Sequence, residues 1–243
     1  MSARVIRSRA GRGRAGLAAA LAVALLGLAG CSGGTDATPV QLQIFDAARG
    51  SAGRMAARLR GGQASAPTLS RAQLEATGLT ITEVTAERRE LTAYLFRALE
   101  RRDSDPGLIE VWSTEDSSVT VTTRQGVVIA TRGLGGDLLS SRVEVADSRP
   151  GPAGGGAQVQ MIRNLDFRET ALALSCELAD LGAETIDILG QRQATRHLRQ
   201  SCEGGGGQVV NDYWTDAASG IVWQSRQWAG PHVGYLRLRR VTK

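Results

Sequence analysis

Lysine is almost missing from this chain: of 29 basic residues, Lys243 alone is lysine and the rest are arginine. A P-loop needs a lysine to reach the terminal phosphates of a nucleotide, so binding of that kind is excluded. Histidine is nearly as scarce, with only His197 and His232. Neither an HExxH helix nor a G-x-S-x-G nucleophile elbow is present. A Ser–His–Asp triad can be assembled on paper, but two histidines among many serines single out none. "GLGGDL" at 133–138 lacks the full dinucleotide glycine fingerprint and reads as a turn. Aromatic residues make up 4%, and three of the four tryptophans, Trp214, Trp223 and Trp228, fall in the last thirty residues. The longest unbroken run of apolar and small residues, Ala15 to Gly30, is 16 residues (30 − 15 + 1). That is short of the roughly 20 needed to cross a bilayer core as a helix.

What is present at the start is distinctive. Arg4, Arg7, Arg9, Arg12 and Arg14 come before any acid, the apolar run follows, and "LLGLAGCSGG" ends it with Cys31. A positive region, a short apolar core and a small-residue exit describe a secretory leader, removed in the finished protein. The exit Leu28-Ala29-Gly30-Cys31 resembles the lipobox of bacterial lipoproteins. That resemblance implies cleavage before Cys31 and acylation of its sulfur and its new amine, with Ser32 permitting transfer to the outer membrane. Several acyl chains give stable anchoring where one is marginal. Losing the leader removes five of the 29 basic residues and leaves 24 against 24 acidic ones. The clustered cationic surface that nucleic-acid binding requires is therefore not indicated.

The expected layout has a leader at 1–30 and a flexible tether at 31–39. A short helical segment with its linker follows at 40–68, then a β domain at 69–243. "SGGTDATP" is small and polar, as a tether is. "TLSRAQLEATG" predicts a short capped helix closed by Gly78. From Leu79 the texture alternates: "LTITEV", "LIEVW", "SVTVTT" and "GVVIAT", with Gln125-Gly126 turning the last two into a hairpin. "GPAGGG" at 151–156 reads as a mobile loop. Strands resume with "AQVQMIRNL", "TALALSCELA", "ETIDIL", "ATRHLRQS", "GQVVNDYW", "IVWQSRQW" and "GYLRLRRV". The fold class is mainly β: a large antiparallel meander with short N-terminal helices, curled into a half-barrel or open barrel to manage its edges.

Cys176 and Cys202 are 26 positions apart (202 − 176), and a disulfide is favoured in an oxidising compartment. Read as two strands apart, their backbones would be about 9.5 Å from one another, beyond the roughly 7 Å a bridge tolerates. The bridge then requires a curled rim or a loop folding back. The rival is a metal site joining the two cysteines to His197 and His232; no ligand spacing supports it, and no metal or other cofactor is expected.

Carboxylates offer a catalytic alternative, since glycoside cleavage needs two on facing walls. Glu115 and Asp116 in "WSTEDSS" and Asp212 and Asp216 in "NDYWTDAASG" both lie at strand ends beside tryptophan, although aspartate there is also ordinary turn chemistry. Alternation sets Trp214 beside Asp212 on one face and Tyr213 on the other, with Trp223 and Trp228 on opposite faces of their strand. Such rings stack on sugars or cover lipid chains, or simply fill a core.

"NDYWTDAASGIVWQSRQWAGP" at 211–231 and "EVWSTEDSSVTVTTRQGVVIATRGLGGDL" at 110–138 resemble the group 4 capsule polysaccharide lipoprotein family (GfcB/YjbF). The matching positions are Asn211, Tyr213, Trp214, Gly220, Ser225, Gln227 and Pro231, with Trp112, Gly133, Leu134 and Asp137. Val127 departs from the family pattern, which has arginine there. The resemblance covers the chain from about Leu69 onward. It implies an outer-membrane lipoprotein facing the periplasm, serving capsule or exopolysaccharide export, with a curled antiparallel sheet and no defining enzymatic activity. Its partners would be the membrane, through the lipid anchor, and glycan or export proteins. Contact with these would fall to Trp112, Asn211, Asp212, Tyr213, Trp214, Trp223, Ser225, Gln227 and Trp228. A second expectation is a carrier holding an acyl chain on its concave face, and a third is the glycoside-cleaving enzyme.

Overall fold

The computed structural model describes residues 69–205 and 207–242. The expected leader, Cys31 with its tether, and the helical segment over 40–68 lie outside the described residues. The first described element is helix α1 (Arg71–Glu75). Ser70 caps it: its hydroxyl accepts from the Gln73 N–H while the Gln73 side chain accepts from the Ser70 N–H. These bonds satisfy two groups that a helix start leaves bare. Gly78 ends the segment at φ +66°, as the sequence predicts.

The strands are β1 (Ile81–Ala86), β2 (Leu91–Arg101), β3 (Ile109–Ser113), β4 (Thr120–Arg124) and β5 (Val127–Arg132). They continue with β6 (Leu138–Ser141), β7 (Val145–Ala146), β8 (Arg149–Pro152), β9 (Gly156–Arg163) and β10 (Glu169–Ile188). The last four are β11 (Gln191–Gly204), β12 (Gly207–Asp216), β13 (Ile221–Trp228) and β14 (Tyr235–Arg240). Twelve of them form one antiparallel sheet in the order β5-β4-β3-β2-β1-β14-β13-β12-β11-β10-β9-β6, and β7 pairs with β8 apart from it. Gln125 and Gly126 turn β4 into β5 with φ of 51° and 82°. Two successive left-handed residues match the right-handed twist of the strands they join.

The sheet closes on itself almost completely. Val84, Leu95 and Leu236 from its middle share one buried cluster with Val121 and Val128 of β4 and β5 and with Leu138 and Ile162 of β6 and β9, at opposite ends of the strand order. An open sheet could not bring those ends to one core. The seam itself has no ladder, because β5 and β6 are joined by the turn at 133–137 and not by main-chain pairing. There Asp137 accepts from the Thr131 hydroxyl and from the Gly133 and Leu134 N–H groups. Gly133 is obligatory: a Cβ would stand 1.9 Å from the Ser118 carbonyl oxygen.

A second cluster covers part of the outer face. Leu69 and Leu74 from the helical segment pack with Ile81, Tyr94, Trp223 and Val241, and with Ile186 and Ile188 from the far end of β10. Arg71 fastens this arrangement by donating to the carbonyls of Ile188, Leu189 and Val241.

Several elements depart from the sequence-based expectation, among them Leu91–Arg101, which forms β2 where no strand is predicted. "TALALSCELA" and "ETIDIL" are one 20-residue strand, β10, with a register shift between Asp180 and Gly182. A β-bulge absorbs the glycine that reads as a turn. Cys176 and Cys202 are therefore direct cross-strand partners with Cα atoms 4.0 Å apart, and their disulfide forms on the inner face without any folded-back loop. Residues 151–156 are also ordered: Pro150, Gly151 and Pro152 are buried in β8, and Gly156 begins β9. The β7–β8 hairpin is held by the Gly151 N–H donating to the Gln125 carbonyl and by Gln125 donating to the Arg149 carbonyl.

Candidate functional site

Alternation along β12 and β13 sorts the family-matching residues. Asn211, Tyr213, Ser225 and Gln227 point inward and are buried. The Gln227 amide spans the barrel interior and uses all of its hydrogen-bonding capacity. Its oxygen accepts from the Val128 N–H at 2.8 Å and from the Tyr213 hydroxyl at 3.2 Å. Its nitrogen donates to the Gly126 carbonyl at 2.9 Å and to the Ser225 hydroxyl at 2.8 Å. Two of those partners are backbone groups at the unpaired edge, so Gln227 stitches β13 to the seam. Asn211 instead ties β12 to its two neighbours, donating to Gln200 on β11 and accepting from the Trp228 N–H on β13. Burial pushes the Tyr213 phenol far above its usual range, with the nearby Asp212 charge adding to it.

Asp212 and Trp214 point outward, as alternation predicts. His197 lies between two carboxylates, Nε2 at 2.8 Å from Asp212 and Nδ1 at 3.0 Å from Glu184, and it stacks on Trp214 with ring centroids 4.5 Å apart. Arg199 also reaches Asp212, at 2.8 Å. Both ring nitrogens are occupied, and both cysteines are tied in the disulfide. The metal-site rival therefore has neither thiolates nor a free imidazole at His197. Trp223 is buried under the helical segment, whereas half-buried Trp228 packs against the inner clusters.

Asp116 caps the β3–β4 turn, accepting from Thr114 and Ser118. Asp216 caps the β12–β13 turn, and bonds from Ser219 and Ala218 hold it below the usual carboxylate range. The first turn lies against Gly133 and the second borders the Gly126 turn, one at each end of β5. At about 3.3 Å per residue along a strand, the two carboxylate pairs are much farther apart than the 5–9.5 Å used in glycoside cleavage.

The end of the barrel bounded by the Gly126 and Gly220 turns holds a cavity of about 260 Å³. Trp112 and Ser225, both predicted contacts, line it. So do three charges that sequence reasoning missed: Arg97, Glu110 and Arg240. Glu110 accepts from one nitrogen of Arg240 at 2.8 and 3.0 Å and from Arg97 at 3.3 Å. Arg97 also pairs with Glu100 at 2.5 Å. The Arg240 guanidinium lies 4.4 Å from the Trp112 ring centroid, and the indole N–H donates to Thr123. Burial pulls the Arg240 pKa down, opposed mainly by Glu110. A guanidinium fixed on an aromatic face and by a buried carboxylate suits recognition of oxygen-rich groups, more than proton transfer. The signal that could have found it is charge in the apolar phase of a strand. Arg240 follows Leu236 and Leu238 at even spacing, and Arg97 follows Leu91, Ala93 and Leu95. The rest of the inner face is packed side chains or polar groups such as Gln158, Gln160 and Gln200, which does not favour an acyl chain.

Fold and site together define a nearly closed antiparallel barrel with a crosslinked wall and a charged mouth. The chain matches the family described as "Group 4 capsule polysaccharide lipoprotein gfcB, YjbF" over residues 42–241, and it belongs to that family. The match begins well before the Leu69 from which the sequence motifs are recognisable. The crystal structure of the hypothetical lipoprotein YmcC from Escherichia coli (K12) has the same fold, with a TM-score of 0.63 at 15% identity. The alignment covers 86% of this chain and 98% of that one. No curated protein sequence matches the chain.

Proposed function

We propose that this capsule-family lipoprotein is a non-enzymatic accessory factor in the secretion or assembly of extracellular polysaccharide. It is anchored through acylated Cys31 to the outer membrane, with the barrel facing the periplasm. The observation that carries this reading is the family match over 42–241. Two further features support it. The leader ends in a lipobox-like exit, and the motif residues Asn211, Tyr213, Ser225 and Gln227 are engaged in a buried hydrogen-bond network that Gln227 extends to the seam. Motif residues spent on architecture suit a rigid adaptor, which presents surfaces and a mouth to glycan or to export proteins.

The test is a deletion strain complemented with the wild-type chain or with Cys31→Ser. Wild type is expected to restore exopolysaccharide yield and to fractionate with the outer membrane, its intact mass carrying the acyl groups. The serine variant is expected to leave the membrane fraction and to lower yield several-fold. Unchanged yield in the deletion strain would overturn the proposal.

A further inference from the structure

From the charged mouth of the barrel we infer a binding site for the carboxylate of an acidic sugar residue in a glycan chain. This rests on the polysaccharide reading above and names the class of sugar. Around the cavity, unfilled hydrogen-bond donors outnumber unfilled acceptors. Glu110 is the acidic group lining it, and both of its oxygens are already taken, by Arg240 and Arg97. Arg240 spends only its Nη2 on Glu110, so its Nε and Nη1 have no acceptor among the described residues. Arg97 likewise uses only Nη1, leaving Nε and Nη2. The Ser225 and Thr123 hydroxyls each accept a bond, from Gln227 and Trp112, and each has its own proton without an acceptor among the described residues. Within the lining two cations face one anion, Glu100 outside it engages a single nitrogen of Arg97, and the unfilled donors exceed the unfilled acceptors.

A complementary ligand supplies acceptors and negative charge, as a carboxylate does to a guanidinium fork. The fork is also pre-organised. The Arg240 side chain is only 12% exposed and is fixed by Glu110 and Trp112, so little rotamer entropy remains to be lost on binding. A cavity of about 260 Å³ accommodates a unit of sugar size but no long acyl chain. The mouth lies between two turns at an end of the barrel, where a chain can pass with one residue dipping inward.

The experiment is calorimetric titration of the full acylated chain in detergent with trigalacturonate, its methyl ester and acetyl-dialanine. The acid is expected to bind at least tenfold more tightly than the uncharged ester, which has the same sugar frame. Arg240→Lys keeps a cation beside Glu110 but loses the fork, and is expected to weaken acid binding at least tenfold in protein shown by circular dichroism to be folded. Val222 lines the cavity beside the Gly126 turn, and Val222→Trp, which leaves the ion pair intact, is expected to fill the mouth and abolish binding. Equal affinity for acid and ester, binding that survives both variants, or no binding of the acid to folded protein would each overturn the inference. Tighter binding of acetyl-dialanine would overturn it too, by assigning the cavity to peptide termini. None of these outcomes touches the yield test of the deletion strain, so the broader function stands or falls separately.

Discussion

Gln227 carries more of this barrel than any single apolar side chain its size could. Replacing it with leucine keeps the volume but strands the Val128 N–H, the Gly126 carbonyl and the Tyr213 hydroxyl at the seam. Each buried group left unpaired costs about 1–3 kcal/mol, so Gln227→Leu is expected to lose about 3 kcal/mol or more in a urea melt. Asp103 gives a second prediction at this scale. Its hydrogen bond with Arg124 is the main force drawing its pKa to about 2, below the roughly 3.9 of an unfolded chain. The pair's contribution is complete above the unfolded value and is lost as pH falls through about 2. NMR titration should therefore find the Asp103 carboxyl still ionised at pH 3, and Arg124→Gln should return its midpoint toward 4. The polar identities at 211, 213, 225 and 227 were legible in the sequence as a motif, but their role was not. Alternation shows which residues share a face and cannot show that the two sheet edges meet around them. Arg97 and Arg240 stand in the apolar phase of their strands and were open to suspicion, but that they meet Glu110 at one mouth shows only when three strands converge.

Among the elements, the long hairpin of β10 and β11 shows what local signals miss. Glycine at 182 reads as a turn because it usually ends a strand, yet here pairing with β11 continues on both sides of it. That continuity places Cys202 opposite Cys176. Closing a loop of 26 residues stabilises by roughly 3–4 kcal/mol on the chain-entropy estimate, so reduction or Cys176→Ala/Cys202→Ala is expected to lower the melting temperature by several degrees. An equal melting curve with and without reductant would contradict this. Strand β2 was illegible for another reason. "LTAYLFRALER" is rich in leucine, alanine, arginine and glutamate, all good helix formers, and pairing with β1 on one side and β3 on the other overrides that preference. The short strands β7 and β8 contain two prolines and resemble loop sequence, and contacts distant in sequence order them, among them the hold on Gln125 and the Gly107 N–H on Asp147. By contrast α1 and the Gln125-Gly126 hairpin were readable, because a capping box and a two-residue turn act within a few residues of themselves.

For the whole molecule, closure depends on side chains at the seam, and Arg71 fastens the helical segment to the barrel wall. Arg71 joins α1, the tip of the β10–β11 hairpin and the end of β14 through three carbonyls. Arg71→Ala is expected to raise amide hydrogen exchange at residues 184–192 by at least tenfold while exchange in β1, β2 and β14 changes little; uniform acceleration would mean instead that the barrel opens as one unit. The curled antiparallel architecture was legible from many short alternating strands, whereas the near-complete closure was not, since it is a property of the strand order's two ends. The position of Arg71 also has a mechanical meaning. Residue 69 is where the described barrel begins, so under the lipid anchorage proposed for Cys31 a pull transmitted along the chain would arrive beside this clamp. Its three bonds share the load between the first helix, the hairpin tip and the last strand. A drag on the anchor would thus be borne by three parts of the wall at once, and the mouth at the same end would keep its shape under tension.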